Sequence, residues 1–134
     1  MNYLAVDYGE KNIGLAIGSD ETKLALPFTT IRCDTPEEAI QRLCEISVKE
    51  GVDAFVLGIP LHSSHSQDQK NKTEGFANAL RAAASIPVYT IDESFTSKQA
   101  ARHVVEAGSI GDEHAIAAML ILEGFFLQKH SASP

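Results

Sequence analysis

Asp7 closes an apolar run that starts at Leu4, and a glycine turn separates it from a second apolar run beginning at Ile13. A carboxylate inside a buried strand costs several kcal/mol unless something holds it or uses it. Glu93 ends another apolar run, "PVYTID", and Asp112, Glu113 and His114 head a third, "AIAAMLILEGFFLQ". In an α/β sheet the ends of parallel strands and the starts of the adjacent helices share one edge, where ligands commonly bind. Three acidic sources thus converge in principle, and converging carboxylates repel unless a cation sits among them. Hard divalent ions such as Mg²⁺ take oxygen ligands from one or two carboxylates together with substrate phosphate. The chemistry this suits is phosphodiester hydrolysis, with two ions ~4 Å apart activating water and stabilising the leaving oxygen. His114 would serve as a ligand or as a general base.

Each residue also has a purely structural role open to it. Asp7 can form a turn by hydrogen bonding its own backbone ahead of Gly9. Glu93, Asp112 and Glu113 can be acids that favour a helix start, and His114 can be an ordinary surface histidine. Lys11, in the first turn, and Lys70 and Lys72, in a polar stretch, are candidates for phosphate contact and equally for solvated surface. His62 and His65 stand three apart but have no further ligand near in sequence, so they read as loop residues. Ser63, Ser64, Ser94 and Thr96 have no His and acid partner at a recognisable spacing, which argues against nucleophilic hydrolysis.

The elements that must position these groups follow from pattern. Strands are expected at Tyr3 to Asp7, Ile13 to Ile17 and over "LALPFTTIR", with connections short enough for an antiparallel meander. "TPEEAIQRLCEISVKEG" is helical, with Thr35 as N-cap, Pro36 at the first position, Glu38 completing a capping box and Gly51 as stop. Ile40, Leu43 and Cys44 form its inner face, with Ile46 and Val48 at the edges. "DAFVLGIP" reads as a strand buried on both sides. The polar stretch from Leu61 to Gly75 reads as a loop, mobile over "SSHSQDQKNK" and ordering on substrate, before a helix through "FANALRAAA". A strand "PVYTID", a helix from about Thr96 and a last helix from about Asp112 complete the order β-β-β-α-β-α-β-α-α, a mixed sheet flanked by helices.

Composition bounds the rest. The 134 residues suit one domain, expected over 1–128 with 129–134 as a disordered tail. No stretch approaches the ~20 apolar residues of a membrane span, and the N-terminus lacks an export pattern, so the expected setting is the cytoplasm. Cys33 and Cys44 have no metal-type spacing and fit reducing surroundings. The net charge of −7 argues against a broad electrostatic grip on nucleic acid, although local lysines can still meet phosphates. Burial is the expected fate of the apolar surface of "MLILEGFFL", with a monomer or weak homodimer as the oligomeric expectation.

Four segments in order, "VDYGEKNIGLAIG", "VLGIPL", "DESFTS" and "DEHAIAAMLILEGF", together resemble the YqgF/RuvX family of Holliday-junction-resolvase-like proteins, over Tyr3 to about Phe126. The resemblance implies a ribonuclease-H-like α/β fold, a five-stranded mixed sheet whose first three strands are antiparallel, flanked by helices. It implies a Mg²⁺- or Mn²⁺-dependent endonuclease that trims the 5′ end of precursor small-subunit ribosomal RNA. Its first two acids fall on Asp7 and Glu93. Its third opens the last helix, three residues before an Ala-Ala pair and ahead of an apolar run ending in Glu and an aromatic residue. Anchoring on Glu123 and Phe125 puts His114 in that place, with Ala117 and Ala118 as the pair; anchoring on the acid selects Asp112 and slips the helix by two. Ser94 stands where many members carry Arg, which removes a bidentate phosphate clamp. Two alternatives remain beside a ribosomal RNA nuclease: a resolvase of branched DNA, and a non-catalytic nucleic-acid-binding or transcription-linked factor.

Overall fold

The structure, a computed structural model, describes residues 1–9, 11–60, 66–93 and 113–131. Five strands, β1 (Asn2–Asp7), β2 (Asn12–Ser19), β3 (Leu24–Arg32), β4 (Ala54–Pro60) and β5 (Val88–Glu93), form one sheet in the order β3-β2-β1-β4-β5. β1 pairs antiparallel with β2 and β2 with β3, whereas β4 runs parallel to β1, and β5 to β4. The mixed sheet with its first three strands antiparallel is therefore as the sequence implies. The helices are α1 (Pro36–Lys49), α2 (Ser66–Ala83) and α3 (Glu113–Ser131). The expected helix from Thr96, the loop histidines His62 and His65, and the serines 63, 64 and 94 lie outside the described residues.

The pleat of β1 divides the core. Leu4 and Val6 pack with Leu43 of α1 and Phe76 and Leu80 of α2, while Tyr3 and Ala5 pack with Ala118, Leu122 and Phe125 of α3. β1 lies in the middle of the sheet and is apolar on both faces because helices cover both. Successive residues therefore look into different layers, which decides the surroundings of Asp7 and Tyr8 at its end.

α1 starts as its sequence demands: the Thr35 hydroxyl accepts the Glu38 N–H at 3.2 Å, Pro36 occupies the first turn, and Gly51 takes a φ of +66° just past the end. Its buried stripe is Ala39, Leu43 and Ser47; Val48, expected at the edge of that face, is 83% exposed. Val48 lies one residue past Ser47, about 100° round the helix, and so turns to water.

α2 departs further from expectation. It begins at Ser66, so residues 66–75 are helix rather than mobile loop. Its first turns carry Gln69, Lys70 and Lys72, good helix formers with no apolar stripe to reveal them. Thr73 is buried and donates its hydroxyl to the Gln69 carbonyl at 2.8 Å. α3 runs on to Ser131. Among the described residues no helix is long and apolar enough to cross a membrane.

Two tests follow from α2. Amides 70–75 should exchange slowly in the free protein, at protection close to that of 76–83; exchange at random-coil rates would contradict the helix. Gly75 lies inside this helix with nothing within 4 Å of where a Cβ would be. Gly75→Ala should therefore stabilise the fold by ~0.5–1 kcal/mol in urea titration, because alanine loses less backbone entropy there.

Candidate active site

Asp7 is 5% exposed and lies opposite Gly14 in the β1–β2 ladder. It has the parity of Tyr3 and Ala5 and so belongs to the layer of α3. Gly14 explains how α3 reaches this point. A methyl group there would overlap the backbone carbonyl of His114 and come within 2.9 Å of the Ala115 nitrogen. The first turn of α3 therefore rests directly on the backbone of β2, one strand from Asp7. Glycine inside a strand otherwise weakens it; here it admits the helix.

The approach has an electrostatic consequence. The first turn of a helix leaves its N–H groups without partners inside the helix and carries about half a positive charge. That pole meets the sheet at Gly14, the cross-strand partner of Asp7.

Glu93 enters through the backbone. Val6 pairs with Leu57, Gly58 with Ile91 and Pro60 with Glu93, so β1, β4 and β5 end along the same rim. Position 93 lies two strands, about 10 Å, across from β1 and two residues, about 7 Å, further along the rim than Asp7. His114 is half-buried and one turn before Ala118, on the sheet-facing stripe that continues through Leu122 and Phe125. Asp112 lies outside the described residues. Among the described residues no three His, Cys, Asp or Glu side chains gather as a metal cluster.

The three lysines do not form one patch. Lys11 is exposed in the β1–β2 connection, where its carbonyl accepts the Cys33 N–H at 3.0 Å. Lys70 and Lys72 are two apart on a helix and so face different ways. Lys70 lines a depression with Glu74, Arg81, Thr90 and Asp92 towards β5, and Lys72 lines a groove with Tyr8 and Phe76. Neither Gly14 nor the Tyr8 groove is singled out in the sequence reading, although a glycine between apolar strand residues is itself a signal of close backbone approach.

The arrangement of strands and helices is shared with solved resolvases. Thermus thermophilus RuvC in complex with a Holliday junction substrate superposes with a TM-score of 0.63 at 14% identity, covering 97% of this chain and 96% of that one. The fowlpox virus resolvase in complex with Holliday junction DNA gives 0.55 at 14% identity, covering 97% and 99%. The fold is thus the ribonuclease-H-like resolvase fold. Within that class, the family model described as "RuvX: Holliday junction resolvase" matches residues 1–128, and the chain belongs to the RuvX family. A protein of Orientia tsutsugamushi named "Putative pre-16S rRNA nuclease" is 34% identical over 128 residues, covering 90% of this chain and 80% of that protein. One of Nitrosospira multiformis with the same name is 32% identical, covering 97% and 90%.

Gly14→Ala tests the geometry. Backbone cannot yield as a flexible side chain can, so the substitution should cost ~1–3 kcal/mol in urea unfolding and displace the start of α3. A variant as stable as the parent, with unchanged amide shifts at 113–116, would contradict the close approach.

Proposed function

We propose that this protein is an endonuclease that hydrolyses phosphodiester bonds of RNA with Mg²⁺ or Mn²⁺, and that it trims the 5′ end of precursor small-subunit ribosomal RNA. The observation that carries this reading is Asp7, a carboxylate buried at the end of the central strand against the start of α3, in a chain of the RuvX family. The names of the relatives supply the substrate, and residues 1–128 act as one domain.

The donor set suits a hard divalent cation: oxygen ligands from β1 and β5, at a rim where a helix start meets the sheet. Asp7 and Glu93 would hold it, with His114 or Asp112 as the third group. When bound, such a cation polarises the phosphodiester and lowers the pKa of a coordinated water. The chain's own residues do the rest. Asp7, fixed by β1 and by its layer, sets where the phosphate must lie. The α3 pole favours negative charge at that place, both the carboxylate's and the substrate's. Where Asp112 is the ligand, His114 would take a proton from the attacking water. Lys11 and Lys72 contact flanking phosphates, and Lys70 extends that contact towards β5.

The test is cleavage of a precursor ribosomal RNA fragment in Mn²⁺. Asp7→Asn and Glu93→Gln should each lower the rate by about 100-fold or more, with melting temperature unchanged or raised, because a charge held for function is not needed by the fold. Unchanged cleavage in Asp7→Asn would contradict the role of Asp7, and binding without cleavage by the parent would favour the binding-factor reading. Exchanging His114→Ala and Asp112→Asn separately, with Mn²⁺ affinity read by calorimetry, identifies the third ligand as the one whose loss weakens metal binding.

A further inference from the structure

We propose that the groove between the start of α1 and the middle of α2 is a subsite for an unpaired nucleobase of the RNA strand, with Lys72 taking the adjoining phosphate. This rests on the nuclease reading and adds to it a second point of contact on the other side of the sheet. The groove holds about 470 Å³ and is lined by Tyr8, Pro36, Lys72, Gly75, Phe76 and Ala79. That size lies in the range of small-molecule sites, and its combination of a flat apolar wall with one cation matches a base and its phosphate.

The aromatic wall is preset. Tyr8 stacks on Phe76 with ring centroids 4.1 Å apart and planes 20° from parallel, and Phe76 is buried. A ring held in this way loses little freedom when a ligand arrives. Tyr8 follows Asp7 in the chain, so their Cα atoms are about 3.8 Å apart while their side chains enter opposite layers. A base stacked at Tyr8 therefore leaves its sugar-phosphate at the rim, within reach of Asp7. Bases in a duplex are already stacked and paired, so only a single-stranded segment can supply one.

Gly75 adds an independent reason. It lies one turn from Lys72 and Ala79 on the wall of the groove, and a Cβ there would meet no protein atom within 4 Å. The fold gains nothing from the glycine, whereas the groove gains the room a base needs.

The test uses the full chain in EDTA, where cleavage is off, and a single-stranded RNA oligonucleotide carrying 2-aminopurine. Binding to the parent should quench the base by stacking. Gly75→Leu, which fills the groove without touching the core, should weaken binding about tenfold and abolish the quench. Lys72→Gln should weaken binding and lower the salt slope by about one phosphate. Parent-like affinity and quench in Gly75→Leu, or equal quench with a fully paired duplex, would overturn the subsite. If the parent cleaves precursor RNA but binds without the groove, the subsite alone fails. If binding depends on the groove but no RNA is cleaved, the nuclease reading alone fails.

Discussion

The contact on which the site depends is backbone on backbone: the start of α3 against Gly14 of β2. It brings a helix pole to the side of Asp7, a residue that β1 has already carried to the rim and buried. Without that approach the acid would be a charge in an apolar layer with less to offset its desolvation. With it, the electrostatic sign of the rim suits negative charge.

The strand that presents Asp7 also makes the rim two-sided. Because β1 is covered by helices on both faces, its last residues alternate between layers, Asp7 towards α3 and Tyr8 towards α2. Among the described residues the α3 side supplies Asp7 and His114, and the other supplies an aromatic ring, a lysine and open space. A polynucleotide offers both chemistries at once, phosphate and base, and a sheet edge crossed by the chain would engage them on opposite sides.

Much of this was readable from residue pattern. The antiparallel meander followed from short connections, α1 from its cap, proline and closing glycine, and the two-sided burial of β4 from an unbroken apolar run. The acids at strand ends were readable as a group only because sheet topology confines parallel strand ends to one edge. The start of α2 was not, because its first turns carry polar helix formers and periodicity sees only turns with something to bury. Val48 was apolar and near the right face, yet one residue's rotation put it in water. Gly14 fitted an apolar strand well enough to hide that its value lies in what it lacks. Whether His114 or Asp112 fills the third acidic place of the family pattern turned on a two-residue helix register that local pattern does not fix, and Asp112 lies outside the described residues.

The most direct measurement of the central claim is a crystal soaked in Mn²⁺, with anomalous difference maps to locate the ion. The account predicts a peak about 2.1 Å from a carboxylate oxygen of Asp7, beside the first turn of α3. A saturating soak whose peaks all lie away from Asp7 would contradict it.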